Sequence, residues 1–563
     1  MENNAVKTGH PKGLYFLFFT EMWERFSYYG MRAIFILFMT DKAIGLSMKD
    51  ADASEIYGSY TGLVYLTPLL GGYLCDKFLG NRRSIVIGGL LMAIGQFFMF
   101  FSASVGADGG VSLMWMGLTA IIIGNGFFKP NISTMVGQLY PANDRRIDSA
   151  FTIFYMGINL GAFFSPLVCG SMDFKWGFLA AGVGMLIGLV AFIVGQKKYL
   201  ISEDGKAIGL PVKKLDVKNI AMIIGSIAII FFMLNFKQMF KSDVDIISYL
   251  IYGAMVAMPV LIFSDKSLTK IETQRITVIF ILAFFVIFFW GAFEQAGASL
   301  TLFADRQVDR QVSIVIPSWL IVGSGIVTMF YLSKGLQWFF DWTSKIRFIV
   351  FGLFSALLIL FMLTGHITNF IQSEFPASWF QSVNPLAVIL LAPLFSILWD
   401  FLYKLKAEPS SPKKMAIGLG LVALGYVVIA IAVKGLGLGE KVSMWWLFGL
   451  YVIHTMGELC LSPIGLSMVS KLAPLRLSSL MMGTWFLANA AANKFAGTLS
   501  ALIPGGEDGT GGATSFLGFQ ITNLYEFFIL FIIMSGAAAA ILFVLSSWLE
   551  KRMHNDHIEG QPE

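Results

Sequence analysis

Glutamates and arginines stand where a membrane span should carry none. In TEMWERFSYYGMR, Thr20 to Arg32, the residues Glu21, Glu24, Arg25 and Arg32 interrupt a run that is otherwise mainly apolar from Leu14 to Met39. At the centre of a spanning helix each charge costs about 2.5–3.5 kcal/mol, so four unpaired would cost about 10–14 kcal/mol, while the Leu, Ile and Phe residues of the run return about 3–7 kcal/mol. Such a helix cannot turn these groups to lipid. At 100° per residue Glu21, Glu24, Arg25, Tyr28 and Arg32 share an arc of about 100°, with Tyr29 beside it and Met22, Trp23 and Phe26 facing the other way. Carboxylates that take up protons and guanidinium groups that hold anions make this stripe a candidate proton or solute path. The alternative is a structural ion pair between Glu21 and Arg25.

A path needs further polar groups, and they recur along the chain. Lys129 precedes Pro130 in GNGFFKPNIS, Glu294 follows Trp290 by one turn in FFWGAFEQAGASL, and Glu458 lies in IHTMGELCLSPIGLSM ahead of Ser462 and Pro463. Any one of them could be structural. Together they distribute carboxylates and bases over both halves of the chain, as a site between two helical bundles requires. Of the five histidines only His454 falls inside an apolar segment, and it reads as a packed, hydrogen-bonded residue rather than a proton relay.

The elements that position these groups follow from composition. With 56% hydrophobic and 13% charged residues over 563 positions and a mean hydropathy of +0.73, the chain is a polytopic membrane protein. Apolar runs predict sixteen spans, near 14–40, 58–76, 84–104, 113–135, 149–170, 176–196, 218–236, 246–264, 276–303, 313–332, 346–365, 384–403, 415–433, 444–469, 477–502 and 525–549. The polar tail with Lys7, His10 and Lys12 has no signal-peptide pattern, so the first span serves as its own insertion signal. With an internal amino terminus, 27 of the 40 Lys and Arg fall in loops on one side, 9 on the other, and Arg25, Arg32, Lys129 and Lys494 within spans. That bias predicts that both termini are cytoplasmic, and a cell inner (plasma) membrane is the expected location. The basic residues are scattered over short loops, which excludes a nucleic-acid surface. Cys75, Cys169 and Cys460 have no metal spacing and read as packing residues.

These residues carry a family resemblance. EMWERFSYYG is similar to the E-x-x-E-R-F-x-Y-Y-G pattern of the proton-coupled oligopeptide transporter (POT/PTR) family, a branch of the major facilitator superfamily. GGYLCDKFLGNRR, FKPNIS, FYMGINLGAF, PASWFQSVNPLAVILLAP, GELCLSPIGLSMVSKLAP and GTWFLANAAANKFAG resemble other family segments, although Cys75 replaces a usual alanine. The resemblance implies an all-α major facilitator fold of 14 to 16 spans: a six-helix bundle over 1–196, a linker with two extra helices over 197–275, and a second six-helix bundle over 276–563. About 65 residues between Glu294 and Phe375 depart from the pattern and predict a second inserted hairpin near 311–375. The second span lacks the histidine that some family members use for protons, which leaves proton work mainly to carboxylates.

The resemblance further implies a symporter that imports di- and tripeptides by alternating access, with protons as coupling ion, no other cofactor, no metal and a monomeric state. Arg32 and Lys129 would hold the peptide carboxylate, Asn159 and Glu458 its ammonium group. Tyr29, Tyr65, Trp290 and Trp485, with Ser462, would shape the side-chain pockets, the alternative for the tryptophans being packing or an interfacial belt. Glu21, Glu24, Arg25 and Glu294 would couple the proton, Glu294 by pairing with Arg32 in the empty carrier. The 197–217 loop and DKFLGNRR would gate the cytoplasmic side. A family relative carrying another small anion or a drug-like solute is the alternative; HExxH, GxSxG and channel-filter motifs are absent, so neither an enzyme nor a channel is indicated.

Overall fold

The computed structural model describes residues 9–141, 144–211, 217–240, 242, 244–340, 343–437, 439–504 and 513–554. Lys7, His557 and positions 212–216 of the long loop lie outside them. The helices run α1 (Lys12–Thr40), α2 (Asp50–Leu74), α3 (Asn81–Val105), α4 (Ala107–Gln138), α5 (Ile147–Cys169), α6 (Phe174–Tyr199), α7 (Val217–Phe240), α8 (Ile246–Phe263), α9 (Lys270–Phe293), α10 (Ser299–Arg306), α11 (Ser318–Phe340), α12 (Ser344–Leu363), α13 (Val383–Lys404), α14 (Ser411–Val433), α15 (Met444–Leu472), α16 (Ser478–Ser500) and α17 (Leu524–Met553). Among the described residues, twelve helical segments are long and apolar enough to cross a membrane by length and composition. The charges of α1 keep it out of that set. Several helix starts are written locally: Thr269 and Glu272 form a reciprocal capping box on α9, and Asp245 and Asn523 cap α8 and α17.

Helices α1–α6 pack on one another, as do α9 and α13–α17, and the two groups meet chiefly where α2 lies along α16 and α5 along α13. Helices α7 and α8 rest against α4, α2 and α16. One face carries the first and last described residues: Arg146 Nη1 donates to the Gly9 carbonyl at 2.6 Å, and Arg275 reaches the carbonyls of Met553 and His554 at the end of α17. It is called the terminal face below, the opposite one the far face. Close approach at the far face requires glycine: a Cβ on Gly58 of α2 would stand 2.7 Å from the Gly497 Cα of α16. One turn toward the far face, Ser54 Oγ and Ser500 Oγ share a hydrogen bond of 2.9 Å, and Arg306 pairs with Asp50 at 2.5 Å.

Two expectations change. The span expected as continuous over 276–303 is broken: α9 ends at Phe293, Glu294–Gly297 form a 3-10 turn, and α10 restarts at Ser299. The cause is tertiary, because a Cβ at Gly297 would lie 1.8 Å from Tyr57 Oη, so the chain there is pressed against α2. The apolar run expected as a helix over 313–332 begins as a strand, Gln311–Ile316, paired antiparallel with Phe370–Glu374, and its helix, α11, starts at Ser318. Residues Asp309–Pro376, which include α11 and α12, form a compact unit of their own.

Candidate functional site

The α1 stripe is buried, and its groups have found partners. Arg25 Nε lies 2.8 Å from Glu21 Oε1 and 2.5 Å from Glu24 Oε2, so two carboxylates share one guanidinium. Asn125 of α4 donates to the other Glu24 oxygen at 3.2 Å. Two carboxylates and one guanidinium in a low-dielectric interior carry one negative charge in excess, which a proton or a nearby cation must offset. About two turns further on, Arg32 splits its donors between the two halves of the molecule: Nε donates to Tyr57 Oη at 2.6 Å, and Nη2 pairs with Glu294 on the 3-10 turn.

Beyond Arg32 lies a cavity of about 280 Å³ between the two helix groups. Tyr29, Arg32, Tyr65, Lys129 and Asn159 line it from the first half of the chain; Trp290, Glu294, Glu458 and Ser462 line it from the second. The Lys129 ammonium rests 4.3 Å from the Tyr65 ring centroid and forms no ion pair among the described residues. Across the cavity, Glu458 Oε2 accepts from Asn384 Nδ2 at 2.8 Å, and Asn384 donates also to Thr455 Oγ1 at 3.0 Å. Cationic groups therefore stand on one wall and a carboxylate on the other. Tyr155 and Leu466 are exposed at the lining on the terminal-face side, whereas the α2–α16 contacts shut the far face.

Nine of the residues singled out from the sequence as binding or proton-linked thus converge on one space. Glu21, Glu24 and Arg25 lie behind that lining. Trp485 does not reach it: its indole packs on Gly465, where a Cβ would meet the ring at 2.3 Å. His454 lies at the cavity edge, packed against Tyr426 with its Nε2 3.1 Å from the Val422 carbonyl oxygen. Sequence reasoning passed over Tyr155, Gln381, Asn384, Tyr451, Asn489 and Asn493, all in the lining. Uncharged polar residues are cheap in a spanning helix and do not stand out from it. A usable signal was present for Asn384, which lies in the family-like segment QSVNPLAV, and for Asn489 and Asn493 in ANAAANKF. The carbonyl oxygens of Asn489 and Asn493 are buried without a hydrogen-bond partner, so the lining has acceptors to spare.

The sequence model of the family described as "PTR2: POT family" matches residues 82–323 and 348–510. The chain belongs to the POT family. It is therefore a membrane transporter and not an enzyme, with the major facilitator architecture of two six-helix bundles, α1–α6 and α9 with α13–α17, an inter-bundle pair α7–α8 and an inserted hairpin α11–α12. It is 34% identical to the "Peptide transporter YePEPT" of Yersinia enterocolitica subsp. palearctica over 518 residues, covering 88% of each chain. It is 30% identical to the "Di-/tripeptide transporter" of Lactococcus lactis subsp. cremoris over 507 residues, 87% of this chain and 89% of that one. Among solved structures it is similar to a peptide transporter POT in complex with sulfate, with 31% identity and a TM-score of 0.73 over 97% of this chain and 96% of that one. It is similar also to a POT family transporter in complex with 5-aminolevulinic acid, with 30% identity and a TM-score of 0.73 over 96% and 98%.

Proposed function

We propose that this POT transporter is a proton-coupled symporter that imports di- and tripeptides across the cell inner membrane, with the terminal face in the cytoplasm. The observation that carries the reading is the polarity of the cavity: Arg32 and Lys129 on one wall, Glu458 on the other, with aromatic and amide groups between them. A peptide is a zwitterion of fixed ends and variable side chains. Arg32 and Lys129 receive its carboxylate, Glu458 and Asn159 its ammonium group, and Tyr29, Tyr65, Trp290 and Ser462 line the space left for side chains. The names of the Yersinia and Lactococcus relatives, a peptide and a di-/tripeptide transporter, support the substrate class.

Coupling follows from competition for Arg32. With Glu294 ionised the guanidinium is engaged across the bundles; protonating Glu294 frees it for the substrate carboxylate, so proton and peptide favour one another. Glu21, Glu24 and Arg25 form a second proton site behind Lys129. Alternating access then exchanges the far-face closure seen here for closure at the terminal face. There Arg82 of DKFLGNRR already binds the 200–208 segment, donating to the Leu200 and Ile208 carbonyls at 2.6 and 2.8 Å.

A second reading, a carrier of other small solutes with protons, draws support from the relative solved with 5-aminolevulinic acid, a molecule with an amine at one end and a carboxylate at the other. Uptake of labelled dialanine into proteoliposomes under an inside-alkaline gradient decides between the two. Accumulation above the no-gradient control is expected; its absence in folded protein gives the second reading precedence.

A further inference from the structure

Lys494 lies in α16, only 2% exposed, away from the cavity lining and without a role in the reading above. Its ammonium has partners on two other bodies. It donates to Ser59 Oγ of α2 at 2.8 Å and pairs with Asp245 Oδ2 at 2.7 Å. Asp245 is the N-cap of α8 and accepts from the Ser248 backbone amide at 3.2 Å and the Ser248 hydroxyl at 2.8 Å. One side chain of the second bundle thus ties together the first bundle and the inter-bundle pair, on the far-face half where Gly58 meets Gly497 and Ser54 meets Ser500.

The two partners are unequal. When α2 leaves α16, water takes the place of the Ser59 hydroxyl only at the cost of being immobilised there, and a cavity of about 290 Å³ lined by Ser59, Trp115, Lys237 and Asp245 brings space for it to the contact. The Asp245 carboxylate has no such substitute for a buried ammonium, since an uncompensated charge there is costly. Lys494 therefore stays with Asp245, and α8 with α16, through the opening step. We propose that the Lys494–Asp245 pair makes the α7–α8 helices a working part of the far-face closure: Asp245 is a positioning residue that holds the Lys494 ammonium where it reaches α2. This rests on the alternating-access reading.

The test reads closure separately from transport. In a background with Cys75, Cys169 and Cys460 replaced, S54C is labelled by a membrane-impermeant maleimide applied at the far face of oriented proteoliposomes. D245N removes the charge yet keeps the α8 cap, because Asn caps as well as Asp. Labelling is expected to rise about tenfold in D245N and in K494M, and no further in the double variant, if the pair biases the two states with an ordinary coupling strength. An unchanged rate in D245N overturns the proposal, including the case where K494M alone accelerates, which would leave Lys494 acting through Ser59 only. Should K494M not fold, D245N decides alone. Dialanine uptake by the parent is measured in parallel: labelling that shifts in a protein without uptake sinks the peptide reading and keeps this one, and uptake with unmoved labelling does the reverse.

Discussion

Glu294→Gln tests the coupling mechanism most directly. The substitution keeps shape and volume and removes one charge from a pair buried on both sides, Arg32 being 8% and Glu294 5% exposed. Removing one partner of a buried pair costs about 3–5 kcal/mol. Here Arg32 keeps Tyr57 Oη at 2.6 Å and faces the cavity, so the lower end applies, about 3 kcal/mol or roughly a hundredfold loss in the bias toward the closed far face. The transport consequence is larger than the energy suggests, because the charge on Glu294 is what reports the proton to Arg32. In the parent an imposed gradient of one pH unit is worth about 1.4 kcal/mol per proton, which drives about tenfold accumulation for one coupled proton. In E294Q the gradient has nothing to act on at Arg32, since the Glu21–Glu24–Arg25 cluster bonds to Asn125 and within itself and not to Arg32, and accumulation falls to the no-gradient level. Counterflow of labelled against unlabelled dialanine needs no change of protonation and persists. Both are read in the same proteoliposome preparation, with size-exclusion profiles as the folding control. Uphill accumulation by E294Q near the parent level refutes the mechanism. So does loss of counterflow in a monodisperse protein, because Arg32 would then need Glu294 for more than the proton.

Two further outcomes are expected. Glu458→Gln removes the carboxylate that Asn384 orients and should lower kcat/KM for dialanine about thirtyfold, from the roughly 2 kcal/mol at the low end of the loss for one member of a buried charge pair; competition by N-acetyl-dialanine, which has no ammonium group, should change little, and an equal loss for both ligands would remove Glu458 from ammonium recognition. At the terminal face, the side-chain and backbone hydrogen bonds of Arg146 hold the Asp144 carboxyl down to about 2, from an ordinary 3.8. A depressed folded value stabilises above the unfolded one and fades as pH falls from about 4 toward 2, so Asp144→Asn should lower the Tm at pH 6 and the gap to the parent should shrink by pH 3; a gap constant with pH refutes the assignment.

The sequence by itself determined that this is a polytopic membrane protein, because spanning segments need long apolar runs and nothing else in the chain explains its composition. It also marked Glu21, Glu24, Arg25, Arg32, Lys129, Glu294 and Glu458, since a charge inside such a run has a cost that lipid cannot meet. What a charge pairs with is another matter, and the Arg32–Glu294 pair came within reach only through the family resemblance. Arg32 and Glu294 are 262 positions apart, and Lys494 and Asp245 only slightly fewer; those partnerships exist because two bundles bring α1 to the 3-10 turn and α16 to α8. The break at Glu294–Gly297 was illegible for the same reason. Hydropathy runs straight through it, and it arises where Gly297 is pressed against Tyr57. Trp485, which looked like a pocket residue, is held by Gly465, and Asn384 supplies the orienting bond to Glu458 without any signature in hydropathy. Local pattern sets what a residue costs; only packing across the bundles decides which residue relieves that cost.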